Sequence, residues 1–258
     1  MCLIFLAIDA HPKYPVVIAA NRDEFYERPT APASFWPDAP RLLAGRDLRA
    51  GGTWLGITRT GRISALTNYR DPRANKADAP SRGMLTSDFL LSTEDPMSYL
   101  RRISGKARRY NAFNLLVGRK SEFYWHSNVG DDIQALSPGI HGLSNHSLDT
   151  AWPKVQKGKE ALRRLLASED FSPESLFQLL LDRTVPKDDS LPDTSVGLEW
   201  ERILSPAFIT SQAYGTRSST VILLDRSGTV LFIERSFQKA AGAYSAVEYS
   251  FKLEAENR

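Results

Sequence analysis

Cysteine is almost absent from this chain: Cys2 is the only one in 258 residues. A single thiol excludes an internal disulfide framework and any cysteine-rich zinc site. Histidine is scarce as well. The spacing of His11, His126, His141 and His146 matches no metal-binding pattern, so neither a metal nor a cofactor is expected. A dominant charge is missing too: Lys+Arg 33 against Asp+Glu 30 leaves a net +3, too near balance to point to nucleic acid as a partner. The basic runs Arg101-Arg102 and Lys106 to Arg109 read as solvated helix ends. No apolar run reaches the length of a membrane helix, and no basic residue precedes the run from Cys2 to Ile8 as a secretory signal requires. The expected location is cytoplasmic. The phosphate-binding loop, the zinc-protease helix, the dinucleotide fingerprint and the Gly-x-Ser-x-Gly elbow are all missing.

What remains is an ordinary globular composition, 42% hydrophobic, 10% aromatic and 24% charged. It shows no repeat, low-complexity tract or domain boundary. One domain is expected over residues 1–258, with a peripheral charged tail from about residue 250. Cys2 to Ile8 and Val16 to Ala20 are apolar runs that read as buried strands of one hairpin. The second strand ends in Asn21-Arg22-Asp23-Glu24, and a hairpin returns that exit to the start of the first strand, beside Cys2. Residues 25–50, rich in Pro and rings such as Phe35 and Trp36, read as irregular but packed. Further hairpins are expected over Thr53–Asn68, Ala112–His126 and Ser218–Glu234, with a short strand from Gly139 to Asn145.

Helices are expected over Gly83–Leu91, after Thr93 as a cap, from Trp152-Pro153, and from Ser172-Pro173-Glu174. In the third of these, Val155, Ala161, Leu162, Leu165 and Leu166 form the apolar face, and Lys154 falls among the polar remainder. Residues 183–198 read as a polar loop. Hairpins first, helices between and hairpins last give an α+β fold of antiparallel sheets.

Two readings of Cys2 stand side by side. As a small apolar side chain at a strand start, it is core. If Met1 is removed, its thiol and a free α-amine share one residue, so nucleophile and base lie together. The polar groups at other strand ends also divide: Asn68 and Asn145 can be turn formers, and Arg22, Asp23 and Glu24 an ion-pair network.

Asn21-Arg22-Asp23-Glu24, Gly51-Gly52-Thr53-Trp54-Leu55-Gly56, Gly142-Leu143-Ser144-Asn145 with Trp152-Pro153-Lys154, and Thr216-Arg217-Ser218-Ser219-Thr220 together resemble the Asn-Arg-Asp-Glu family. Its animal members are called transport and Golgi organisation protein 2. The resemblance runs from Cys2 to about Glu234 and implies a branch of the N-terminal nucleophile hydrolases. These have a four-layer αββα sandwich, two antiparallel sheets between helical layers. By resemblance to the cysteine branch (penicillin V acylase, bile salt hydrolase), Cys2 would be the nucleophile and Arg22 would lower its thiol pKa. Asp23 would hold the α-amine, and Asn68 and Asn145 would donate to an oxyanion. Arg217 matches a late arginine by position. Asn21, Glu24 and Trp54 of the same motifs are candidates for substrate contact.

The implied activity is hydrolysis of a small amide or acyl substrate. The alternative implied by the animal family is a carrier of haem or lipid-like metabolites, with the rings of residues 25–50 lining an apolar pocket. A purely structural role is a third reading.

Overall fold

The computed structural model describes residues 2–130, 133–238 and 243–255. Strand β1 (Cys2–Ile8) is apolar at every position because both of its faces are covered. Leu3, Phe5 and Ala7 point to a helical layer, while Ile4, Leu6 and Ile8 point to a second sheet. This period of two explains why the sequence shows a continuous run rather than an alternation.

Seven further strands are β2 (Val16–Phe25), β3 (Thr30–Trp36), β4 (Ala39–Asp47), β5 (Leu55–Thr58), β6 (Arg62–Asn68), β7 (Phe113–Arg119) and β8 (Glu122–Ser127). After them come β9 (Ile133–Ala135), β10 (Gly139–Leu143), β11 (Tyr214–Leu224), β12 (Thr229–Phe237) and β13 (Tyr244–Lys252). One six-stranded sheet runs β10-β1-β2-β11-β12-β13, and a seven-stranded sheet runs β3 to β9 in sequence order. Every pairing is antiparallel.

Helices α1 (Gly83–Leu91) and α2 (Pro96–Ser104) cover the seven-stranded sheet through Leu85, Phe89, Tyr99 and Leu100. On the other side, α3 (Pro153–Leu166) and α4 (Pro173–Leu180) cover the six-stranded sheet through Leu162, Leu166, Phe177 and Leu180. The fold is the expected α+β, four-layer αββα sandwich. Helix α3 can lie close on β1 because Gly158 faces Phe5; a Cβ there would meet the ring at 2.0 Å. A short helix α5 (Leu198–Leu204) follows. Among the described residues, no helix is long and apolar enough to cross a membrane.

Three expectations need correction. Residues 25–50 are not irregular: β3 and β4 form a hairpin whose register shifts between Ala31 and Ser34. Pro32 lies in that shift on an edge strand, where a missing N–H costs no ladder bond. The tail expected from about 250 begins inside the sheet, and its residues 256–258 lie outside the described residues. Strand β13 pairs with β12 as far as Lys252, and Phe251 and Leu253 pack on the inter-sheet core. Asp95 rather than Thr93 caps α2, its side chain accepting from Ser98 N at 2.9 Å. Within 183–198 the loop reading holds up to α5, which rises at once from Gly197, whose φ of 85° suits glycine.

Candidate active site

Antiparallel register sets Cys2 directly opposite Arg22. On β2, Arg22 and Glu24 share the inter-sheet face with Ile18 and Ala20, whereas Asn21 and Asp23 share the helical face with Val17 and Ala19. The motif therefore divides its charges between two sides of one strand. On the neighbouring strand β11, Thr216 pairs with Asp23 and Ser218 with Arg22, so Arg217 is the extra residue of a bulge.

A cavity of about 440 Å³ opens at this end of the sandwich, with Cys2, Arg22, Asp23, Glu24, Trp54 and Asn68 among its lining residues. Cys2 is 8% exposed and Arg22 6%. The Arg22 guanidinium carbon stands 4.1 Å from the Trp54 ring centroid, and Nη1 donates to Thr30 Oγ1 at 2.9 Å. The Trp54 ring packs against Gly45, where a Cβ would meet it at 2.3 Å. The preceding pair is equally constrained. Gly51 has φ 80°, and a Cβ on Gly52 would meet the Gly83 backbone at 2.5 Å. These glycines let the Trp54 segment pass close under the start of α1.

Asp23 is buried. Its Oδ1 accepts from Thr216 Oγ1 at 2.7 Å, and its carbonyl accepts from Tyr214 Oη at 2.8 Å. Burial raises the Asp23 pKa, with Lys154 pulling against it. Cys2 departs from expectation. Burial pushes the thiol up, Asp23 adds to this, and the downward pull of Arg22 does not overcome them. Desolvation of a thiolate is the dominant effect here, larger than the pull of the positive charges near it.

The other expected site residues separate into two groups. Asn68 lines the cavity, and its side-chain amide has no partner among the described residues. Glu24 also lines it, 3.8 Å from Arg28 and accepting from Phe25 N at 2.9 Å. Asn145 does not line it. Its Nδ2 donates to the Asn68 carbonyl at 2.9 Å and its Oδ1 accepts from Ser144 at 3.3 Å, so it fixes Asn68 from behind. The turn carrying Asn145 is pinned by Asp149, at φ 56°. Against burial, bonds from His141, Lys159 and Gly142 hold the Asp149 carboxyl down to about 2.

Asn21 faces the helices. Both amide hydrogens are used on Leu180 O (2.9 Å) and Ala207 O (2.8 Å), and Oδ1 accepts from Ser219 at 2.5 Å. It joins layers and is not on the cavity wall. Arg217 is also away from the wall, Nη1 gathering the carbonyls of Phe25, Tyr26 and Arg28 at 2.9, 3.2 and 3.2 Å. It clamps the turn after β2.

Lys154 is the principal residue that helical patterning misplaced. It is 6% exposed, with Nζ donating to Leu204 O at 2.8 Å, and with Arg70 and Glu201 it surrounds a small void. A signal was present: a cation in the first turn of a helix opposes the macrodipole and needs a specific partner. Burial draws its pKa from 10.5 down to about 8, while Asp23 pulls it back up. The unfolded chain keeps this proton to higher pH than the folded one, so stability rises with pH between those values. Relative to a Lys154→Met variant, the wild type should gain on the order of 1–2 kcal/mol on going from about pH 7.5 to about pH 9.5. Urea unfolding of both at the two pH values checks this, and parallel pH dependences refute a buried ammonium.

A profile of the family described as Transport and Golgi organisation 2 matches residues 1–239. The chain belongs to that family. It is 36% identical to the Transport and Golgi organization 2 homolog of Mus musculus, over 98% of this chain and 100% of the relative. The Drosophila melanogaster Transport and Golgi organization protein 2 is 30% identical, with 92% of each chain covered. Among solved structures, this Transport and Golgi organisation 2 member is similar to penicillin V acylase from Agrobacterium tumefaciens. The TM-score is 0.55 at 12% identity, over 96% of this chain and 85% of the acylase. A mutant conjugated bile acid hydrolase from Clostridium perfringens gives a TM-score of 0.51 at 8% identity, covering 100% of this chain and 99% of the other. At these identities the likeness shows the fold, that of the N-terminal nucleophile hydrolases.

Proposed function

We propose that this Transport and Golgi organisation 2 member is an N-terminal cysteine amidohydrolase for a small amide or acyl substrate. The observation that carries this reading is the register of Cys2 against Arg22 at a polar cavity, with Asp23 buried next to it. Once Met1 is removed, the α-amine of Cys2 is the base. Burial raises the thiol's pKa, so a base is needed to take its proton as sulfur attacks, and an α-amine with an ordinary pKa near 8 is placed for that task.

In the first half-reaction, Sγ bonds to the carbonyl carbon while the amine takes the thiol proton. The carbonyl π pair moves to oxygen, where the Asn68 amide is the available side-chain donor. Collapse breaks the C–N bond, the ammonium returns its proton to the leaving nitrogen, and a thioester remains. Water, deprotonated by the same amine, then cleaves the thioester and restores the thiol. Asp23 holds the amine, and Arg22 steadies the sulfur as it becomes anionic.

The carrier reading draws on the same cavity, but the rings expected to line an apolar pocket do not reach it. Trp36 packs in the α1–α2 core and Phe35 against Tyr249 and Phe251, leaving Trp54 as the aromatic on the wall. Intact-mass measurement of the purified cellular protein tests the hydrolase reading. The expected mass lacks one methionine residue; a retained Met1 leaves no free amine on Cys2 and removes the mechanism.

A further inference from the structure

Four arginines, Arg22, Arg28, Arg49 and Arg82, line the cavity with three acidic residues, Asp23, Glu24 and Asp47. The carboxylates are largely committed. Asp47 Oδ2 accepts from Arg28 Nη2 at 2.6 Å and Nε at 3.0 Å, and its Oδ1 accepts from the backbone N–H of Arg49 and of Ala50. Asp23 is bonded to Thr216 on the other face of β2. Glu24 lies 3.8 Å from Arg28.

Among the described residues, no carboxylate makes an ion pair with Arg22, Arg49 or Arg82. Arg22 is buried and Arg82 half-buried, and each spends only one described hydrogen bond. Arg22 donates to Thr30, and Arg82 Nη1 donates to Ala112 O at 2.9 Å. Glu24 is the carboxylate whose charge acts on both, without closing to an ion pair with either, and each fork keeps donors suited to a planar or tetrahedral oxyanion.

We infer that the cavity binds an oxyanion, a carboxylate or phosphate, through Arg22, Arg82 and Arg49, and that the amide substrate carries this group. The second half of this inference rests on the amidohydrolase reading; the anion site does not. Arg22 then serves both the sulfur and the anion, and the cations of Arg82 and Arg49 offset the charge the ligand brings beside Cys2.

Two measurements on the full chain separate the claims. The first is thermal-shift titration with glutarate and with inorganic phosphate, against chloride at equal ionic strength. Saturable stabilisation by at least one anion is expected, weakened about 10- to 100-fold in apparent Kd by Arg82→Gln and only partly recovered by Arg82→Lys, which keeps the charge but not the fork. Arg49→Gln, at an exposed position, gives a second weakened variant should Arg82→Gln fold poorly. Stabilisation no greater than that by chloride overturns the site.

The second is turnover of succinyl, 3-phosphonopropionyl and succinamoyl 4-nitroanilides. A charged acyl group should exceed the neutral succinamoyl one in kcat/KM, with the preferred anion distinguishing carboxylate from phosphate. That ratio should fall by about 10- to 100-fold in Arg82→Gln. Turnover without preference for either anion overturns the substrate claim and leaves the hydrolase reading standing. Anion binding with no turnover of any of the three sinks the substrate claim and counts against the hydrolase reading, while the anion site stands.

Discussion

Cys2→Ala is expected to lower kcat for any amide the wild type cleaves by about 10⁴- to 10⁶-fold, the scale on which removal of a nucleophile acts in acyl transfer. The fold should survive, because the exchange removes one sulfur from a strand start rather than a large core side chain, at about 1 kcal/mol. Anion stabilisation should survive with it, since the guanidinium groups are untouched. Cys2→Ser is the finer test. An α-amine near pKa 8 is a far closer match to a thiol, even one raised by burial, than to a much less acidic hydroxyl, so serine should recover little of the lost rate. Single-turnover assays at equal protein concentration, with unfolding curves for each variant, check both. Full turnover in Cys2→Ala means that the strand-end thiol is a core side chain after all.

The site was legible wherever strand periodicity decides which side a residue occupies. Two apolar runs and a turn bring Asn21-Arg22-Asp23-Glu24 back to Cys2, and the register confirms that return. What the sequence could not show is which face of the sheet each charge takes. A bulge at Arg217 turns that residue onto the Phe25–Arg28 turn, and Asn21 is drawn to the α4 side by two carbonyls 159 and 186 residues away. Contacts at such separation leave no local pattern. Residues 25–50 failed for a different reason: prolines signal irregular chain, yet Pro32 is tolerated on an edge strand. Lys154 failed because a helical wheel assigns lysine outward by default, and only the Arg70–Glu201 pair and the Leu204 carbonyl give it a buried setting.

That pair supports the second large effect. Arg70 Nη1 and Glu201 Oε2 are 2.6 Å apart with side chains 4% exposed on each, and Glu201 Oε1 also accepts from Thr194 N at 2.8 Å and Oγ1 at 2.5 Å. The pair joins the end of β6 to α5, and the Arg70 guanidinium lies 4.8 Å from the Trp152 ring centroid at the start of α3. Glu201→Ala leaves a guanidinium buried without its counter-charge, beside the ammonium of Lys154. The expected loss is about 3–5 kcal/mol, a large part of the stability of an ordinary domain. At roughly 2–4 °C per kcal/mol for a chain of this size, Tm should fall by about 6–20 °C.

The double variant Arg70→Met with Glu201→Leu should recover most of that loss, because neither charge is then buried and apolar side chains fill the same space. Denaturant unfolding of the two single variants and the double variant measures the coupling. If the double variant is as unstable as Glu201→Ala, packing and the Thr194 bonds carry the effect rather than the uncompensated charge. Because the Arg70 backbone N–H also holds the Asn145 carbonyl at 2.7 Å, loosening this pair should reach Asn68 through its hydrogen bond from Asn145. A folded double variant that binds anions like the wild type but turns over more slowly would locate that loss at the Asn68 donor rather than at the guanidinium wall.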